Sequence, residues 1–326
     1  MKISIAGTGK IAGEVMQMLH EEFPGEIEVT GIYAREHSVE HATGLCQAFA
    51  PTGFVYTDYQ RMLDEAEADY VYIANANHVH HEYAMQAMQA GRNVIVEKPV
   101  AVNRAETEQL IDTAIQRNVY CLPAYSLLYM PLFRKLRELL PQIGKVRMIH
   151  CNYAQRSSRY DRYQGGEITP VFDPAMAGGT LADLNVYNLC FTIALFGPPR
   201  TIRYDCNRGY NGIDTSGTLL CHYPTSIAVL SASKDSDGLS YGCIQGEDGY
   251  IEVHGSVSTL GSFTLYLRDK EPVTYRNEDG RHRLSHEFRE FLCLIENRSE
   301  CHIVIPYVTR IMQEIAIAQE RMTQFS

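Results

Sequence analysis

The sequence predicts an α/β protein: an N-terminal Rossmann-type, doubly wound parallel sheet, then an α+β domain with a large open, mostly antiparallel sheet. Three observations carry this. A glycine turn, Gly7-Thr8-Gly9, follows an apolar run at the start of the chain. Up to about residue 122, apolar strand runs alternate with helical patterns, which is the rhythm of parallel βαβ units. From there to about residue 275, strand runs follow one another with few helices between them, which implies antiparallel pairing. At 326 residues the chain is long enough for two domains of about 150 residues each.

The elements follow in order. Lys2–Ala6 is a short strand, and the apolar positions 11, 12, 15, 16, 18 and 19 give Ile11–Leu19 a helical period. Glu28–Tyr33 is a second strand, Phe54–Tyr56 a short third, and Asp69–Ala74 a fourth of buried character. Val79–Ala90 is helical and stops at Gly91, a C-terminal cap. Asn93–Val96 is a strand that ends at Glu97-Lys98-Pro99. Asn103, with Glu106 three residues on, opens a helix through a capping-box arrangement.

The rhythm then changes, and the boundary between two domains is placed at 122/123, giving residues 1–122 and 123–326. Helices are expected near 129–140 and 179–196. Between and after them come the strand runs VRMIHCNYA, TIRYDCN, GTLLCHY, SIAVLSAS and YIEVHG. Two helices, 283–297 and 307–322, close the chain, with room for the last to pack back on the first domain.

Composition narrows the class. Hydrophobic residues make up 45% and charged residues 21%, as in an ordinary soluble globular protein. No run reaches the roughly 18 uncharged apolar residues of a membrane span. The 29 basic and 39 acidic residues leave a net charge of −10 with no basic block, which argues against nucleic acid or an anionic membrane as partner. Nine cysteines, odd in number and without a C-x-x-C pair, form neither a disulfide framework nor a zinc ribbon. They point to a reducing compartment, and the opening MKISIAGTGK reads as strand and turn rather than signal peptide, so the expected location is the cytoplasm.

The chemistry begins at Gly7-Thr8-Gly9-Lys10-Ile11-Ala12, a G-x-G-x-x-A run between a strand and a helix. Gly7 permits the tight turn, Gly9 lets the backbone approach a pyrophosphate, and Ala12 lets helix and strand pack closely. The helix N-terminus then offers unpaired N–H groups and partial positive charge to phosphate. An NAD site usually carries an acid at the end of the second strand, accepting from the ribose hydroxyls. Here that end reads Tyr33-Ala34-Arg35, and a guanidinium pairs with a 2′-phosphate. The expected cofactor is therefore NADP(H), with NAD(H) the alternative.

Two further segments fall at carboxyl ends of strands, where open parallel sheets place their ligands. They are Asn75-Ala76-Asn77-His78-Val79-His80 and Glu97-Lys98-Pro99. A third, Gly178-Gly179-Thr180-Leu181-Ala182-Asp183, opens the helix that carries Asp183 and Tyr187 on one face. The H-x-H-H run at 78–81 has no carboxylate or cysteine at a metal-ligand spacing, so no metal is expected there.

Taken in order, these motifs resemble the glucose–fructose oxidoreductase / inositol dehydrogenase / rhizopine-catabolism family of NAD(P)-dependent enzymes, over essentially the whole chain. The resemblance implies that Lys98 sits at the nicotinamide end, that its bond to Pro99 is cis, and that Asn75, Asn77, His80 and Glu97 lie beside the cofactor. Where that family commonly shows D-x-G-x-H, this chain has Asp183, Asn185 and Tyr187. The tyrosine version resembles the branch containing dihydrodiol dehydrogenases. It implies Tyr187 as acid/base, Lys98 assisting it and Asp183 orienting substrate or lysine.

An unperturbed tyrosine, with a pKa of about 10, lies roughly 4 kcal/mol from neutrality, part of which a nearby ammonium supplies. The expected reaction is hydride transfer between NADP(H) and the carbinol carbon of a sugar, cyclic polyol or vicinal diol. Tyr125 and, in the loop Arg156–Tyr163, Arg156 and Tyr160 are candidate substrate contacts, with a solvated loop or subunit contact the competing reading. The family also uses its open sheet for association, so a homodimer or homotetramer is expected. Two relatives of other classes stay open: an NAD-retaining glycoside hydrolase and a non-catalytic nucleotide-responsive regulator.

Overall fold

A computed structural model describes residues 1–296 and 305–323 and divides the chain into two compact units. The first is built from 1–124 and 281–309, the second from 125–280 with 310–326. The expected helix at 283–297 is Ser285–Ile295 and that at 307–322 is Ile305–Thr323; Cys301 lies outside the described residues.

In the first unit, β1 (Lys2–Ala6), β2 (Glu28–Tyr33), β3 (Phe54–Tyr56), β4 (Tyr70–Ile73), β5 (Asn93–Val96) and β6 (Cys121–Pro123) form one sheet. Its order is β3-β2-β1-β4-β5-β6, with every pairing parallel. Central parallel strands are covered on both faces, and Ile3 to Ala6, Tyr70 to Ile73 and Val94 to Val96 are all buried. The order reverses between β1 and β4, and ligands of such sheets bind outside the carboxyl ends at that crevice.

Five helices connect the strands: α1 (Lys10–Glu22), α2 (Val39–Phe49), α3 (Tyr59–Glu65), α4 (His80–Gln89) and α5 (Arg104–Arg117). The expected cap of α5 is present: Asn103 Oδ1 accepts from the Glu106 N–H at 2.9 Å, and its amide donates to Glu106 Oε1. Gly91, at φ +77°, ends α4. Neither α2 nor α3 is marked by the sequence pattern; α2 buries only Ala42 and Cys46, too sparse a stripe to stand out as a helical period.

In the second unit, α6 (Pro131–Leu139), the short α7 (Tyr160–Gln164) and α8 (Val186–Phe196) accompany an eight-stranded sheet. Its strands are β7 (Val146–Ala154), β8 (Thr201–Arg208), β9 (Asp214–His222), β10 (Ile227–Ser233), β11 (Tyr241–Gly246), β12 (Gly249–His254), β13 (Ser262–Leu267) and β14 (Val273–Arg276). The order is β14-β13-β12-β11-β7-β10-β9-β8. Only the β7–β10 pair is parallel, because β7 sits between two antiparallel meanders. The helix α8 packs on β7 and β10, and Phe191 meets Phe133 of α6 at 6.0 Å between ring centroids.

The chain returns to the first unit through α9 (Ser285–Ile295), whose Phe288 and Phe291 lie 5.7 and 6.4 Å from the rings of Tyr72 and Tyr70. The last helix is α10 (Ile305–Thr323). The stretch Pro174–Phe196 is long and apolar enough to cross a membrane, although Asp183 interrupts it and it holds no run of about 18 uncharged apolar residues. It is 67% buried within the protein, as a core helix is.

Candidate functional site

Two constellations stand out, one in each unit. In the first, β1 runs into a turn whose N–H at Gly7 donates to the Tyr33 carbonyl at 3.1 Å. Gly7 has φ +123°, and a Cβ there would lie 2.6 Å from the Ala74 carbonyl oxygen. Gly9 caps α1 with no side-chain hydrogen bond, and a Cβ on it would meet nothing within 4 Å. Ala12 is buried, as close helix–strand packing requires. Thr8 and Ile11 are half-buried, and Lys10 is exposed with its ammonium 3.6 Å from Glu14. Across the turn, Asn75 Oδ1 is buried without a hydrogen-bond partner. An open backbone approach, an uncapped helix N-terminus and an unanswered acceptor fit a dinucleotide phosphate and its ribose.

At the end of β2, Ala34 is buried and Arg35 exposed. Beside them Tyr33, Tyr59 and Tyr83 pack together with ring centroids 4.6 to 5.5 Å apart. Tyr83 Oη donates to Tyr33 Oη, and Tyr59 Oη donates to the Tyr83 carbonyl.

At the ends of β4 and β5, a short 3₁₀ turn, Asn77–Val79, leads into α4, and His80 is buried at its start. Its Nδ1 lies 2.8 Å from the Pro99 carbonyl oxygen and its Nε2 3.1 Å from that of Asn75. Both partners are acceptors, so the neutral ring that burial favours by pushing its pKa down donates to one of the two loops at a time. The Lys98–Pro99 bond is cis, as the resemblance implies. Glu97 is buried; Tyr72 Oη donates to its Oε1 at 2.5 Å and the Lys98 N–H to its Oε2 at 3.1 Å. Behind it, Glu287 of α9 is fully buried, and neither carboxyl oxygen has a partner.

The second constellation is built on the glycine pair. A Cβ on Gly178 would lie 2.6 Å from the Pro170 carbonyl oxygen, while Gly179, at φ +103°, makes room for Asp214. Asp214 Oδ2 then accepts from the Leu181 N–H at 2.7 Å and from Tyr204 Oη at 2.6 Å, capping the helix start. The first turn, Leu181–Asn185, is a π-type turn, wider than the α-helix that follows, and such turns recur at functional sites.

Asn185, in place of the family's glycine, donates to the Leu230 carbonyl and accepts from Asn188, whose amide also reaches the Ser231 carbonyl. These bonds dock the helix on β10. From Leu184 to Ala194 every residue but Tyr187 is buried. Tyr187 lies with its ring 6.2 Å from that of Tyr153. Asp183 Oδ2 accepts from the Lys234 ammonium at 2.6 Å.

Residues 1–125 match an oxidoreductase family with an NAD-binding Rossmann fold, and residues 133–260 match the GFO/IDH/MocA C-terminal domain. The chain belongs to the GFO/IDH/MocA oxidoreductase family. It is 31% identical to the scyllo-inositol 2-dehydrogenase (NADP+) IolU of Bacillus subtilis over 309 residues, 92% of this chain and 90% of that protein. It is 24% identical to the trans-1,2-dihydrobenzene-1,2-diol dehydrogenase of Xenopus tropicalis over 318 residues, 93% and 92% of the two chains. Among solved structures, KijD10, a 3-ketoreductase from Actinomadura kijaniata in complex with NADP, superposes with a TM-score of 0.84 at 17% identity, covering 100% of this chain and 97% of the other.

Within this GFO/IDH/MocA oxidoreductase, the remaining candidates fall as follows. Tyr125 is buried at the start of a 3₁₀ turn. Arg156 pairs with Asp161 of its own loop at 2.6 Å and lies over the Tyr160 ring, whose hydroxyl accepts from Gln164. The loop rests on a cluster of Tyr163, Phe172 and Ile213.

Sequence reasoning missed Lys234, Glu287, and Tyr59 and Tyr83. Lys234 had a signal: it continues the even-numbered buried row Ala228, Leu230, Ala232 of β10. The others are joined only by tertiary contacts. Of the nine cysteines, the eight described are free; burial raises the thiols of Cys46, Cys151, Cys190, Cys206 and Cys243, and those of Cys121 and Cys221 to about 12, which suits packing rather than nucleophilic work.

Proposed function

We propose that this oxidoreductase transfers hydride between NADP(H) and the carbinol carbon of a cyclic polyol, sugar or vicinal diol, with Tyr187 as acid/base and Lys98 assisting. The observation that carries this reading is Tyr187 itself: the one residue not buried between Leu184 and Ala194, one helical turn from an ion-paired Asp183. In the oxidation a phenolate there takes the proton of the substrate hydroxyl as hydride leaves the carbinol carbon, and in the reduction the phenol returns that proton to the carbonyl oxygen. The nicotinamide, when bound, supplies the hydride acceptor or donor. Gly7 to Ala12 would hold its pyrophosphate, and Asn75, Asn77, His80 and Glu97 the adjoining loops. Arg35, exposed after a buried Ala34, is the group for a 2′-phosphate.

The relatives support the same substrate class, being named for scyllo-inositol with NADP+ and for a trans-diol. Free thiols at all eight described cysteines suit a reducing compartment such as the cytoplasm. The open face of the eight-stranded sheet is the expected contact in a dimer or tetramer.

The test is a cofactor-fluorescence titration with NADPH and NADH, then turnover of scyllo-inositol, D-xylose and trans-cyclohexane-1,2-diol with the preferred oxidised cofactor. Binding should favour NADPH by more than tenfold. Tyr187→Phe should bind NADPH within twofold of wild type and lose about 10²–10⁴ in kcat. Full turnover by Tyr187→Phe overturns its role, and equal affinity for both cofactors overturns that of Arg35.

A further inference from the structure

Lys234 leaves the end of β10 in phase with Ala228, Leu230 and Ala232, so strand alternation turns its ammonium inward. It is 2% exposed. A buried ammonium is tolerated only when it is paired and hydrogen-bonded. Here Asp183 Oδ2 accepts at 2.6 Å, the Val171 carbonyl accepts at 3.3 Å, and the Phe172 ring centroid lies 5.1 Å away.

The backbone is held as firmly. The Lys234 N–H donates to the Thr215 carbonyl at 2.8 Å, and its carbonyl accepts from the Ser157 N–H at 2.9 Å. Phe172 is itself fixed by stacking on Tyr163 at 4.7 Å, and Tyr163 donates to Asn211.

The pair is lopsided. The lysine side chain is 3% exposed, while that of Asp183 is 28% exposed. A pair whose task is to join sheet and helix has no need to leave one member at the surface. This one buries the cation and presents the anion, on the same face as Tyr187. Near the turn, Asp214 on β9 is occupied by the Leu181 N–H and Tyr204, and Tyr187 follows on α8.

We propose that Lys234 is a positioning residue that fixes Asp183 as an ionised, acceptor-only carboxylate for a substrate hydroxyl next to the reacting one. The proposal rests on the reading that Asp183 and Tyr187 address substrate. An ionised carboxylate accepts and does not donate. The chemistry therefore selects a substrate with a free hydroxyl vicinal to the one oxidised, over a lone secondary alcohol.

The experiment uses the full chain, NADP+ and the three diols and polyols named above, with cyclohexanol as the lone alcohol. Lys234→Met should raise KM for the best of the three by about ten- to a hundredfold, the scale of a weakened charged hydrogen bond, with kcat changed by less than about fivefold. The acid limb of its kcat/KM profile should move to higher pH, and Lys234→Arg should restore that limb. NADPH affinity should stay within twofold, which reports folding. In the Asp183→Asn background, Lys234→Met should cost nothing more in KM, because it acts only through Asp183.

A further loss in that background, or an unmoved pH profile in Lys234→Met, overturns the inference while leaving the functional reading intact. Should Lys234→Met not fold, Lys234→Arg alone decides: an acid limb at the wild-type pH supports the proposal, and an acid limb moved to higher pH overturns it. Asp183→Asn with unchanged KM, or no turnover of any diol or polyol by wild type, overturns the functional reading and this inference with it. Equal turnover of cyclohexanol and the best diol overturns the vicinal requirement.

Discussion

Glu287 is fully buried, neither of its carboxyl oxygens has a hydrogen-bond partner, and it lies near Glu97. Burial, and then the charge of Glu97, push its pKa well above the ordinary 4.5, against the opposing pull of Arg283. The folded protein therefore keeps a proton that the unfolded chain gives up. Where the folded state binds more protons, stability falls as pH rises, from 4.5 upward until the folded group itself ionises. Glu287→Gln cannot ionise and escapes this loss. Its thermal midpoint relative to wild type should climb between about pH 5 and pH 8, at up to about 1.4 kcal/mol per pH unit. Parallel melting curves across that range would mean Glu287 is already charged in the fold.

At the scale of elements, the two glycines of the first turn have different reasons to be glycine. Gly7 is at φ +123° and its missing Cβ is replaced by a backbone carbonyl of Ala74, which cannot swing aside. Gly9 is at φ −71°, which any residue adopts, and faces open space. Gly7→Ala should lower stability by about 1–3 kcal/mol in denaturant unfolding, whatever the cofactor. Gly9→Ala should cost under about 1 kcal/mol yet weaken NADPH binding at least tenfold, because its methyl stands where a phosphate approaches. Equal stability losses in the two variants would dissolve the distinction.

The whole molecule leaves one sheet face to be accounted for. In the second unit β10 and β11 alternate, with Ala228, Leu230, Ala232, Gly242 and Ile244 buried and the residues between them less so. The helix α8 packs on β7 and β10. On the less buried side, Tyr250 and Tyr266 stack at 4.3 Å, with Tyr250 39% exposed. Sedimentation equilibrium at micromolar concentration should give a dimer or tetramer, and Tyr250→Lys should shift it toward monomer. A wild-type monomer under those conditions removes the association proposal.

Much of this protein is legible in its sequence. The glycine turn, the cap of α5 at Asn103 and the strands at 2–6, 28–33, 54–56, 93–96 and 146–154 are local: each depends on residues a few positions apart, so spacing reveals them. The ordered motifs sufficed for the family, because glycine, E-K-P and G-G-x-L-x-D each answer a backbone or charge requirement within one turn. Two helices, α2 and α3, escaped because α2 buries only Ala42 and Cys46 and α3 runs for only seven residues. What only the tertiary structure decided are meetings across long separations. Glu287 comes up behind Glu97, Tyr33 gathers Tyr59 and Tyr83, and Lys234 reaches Asp183 across 51 positions. The energy that fixes those partners is burial and charge compensation in three dimensions, and a linear pattern carries no record of which buried group will answer which.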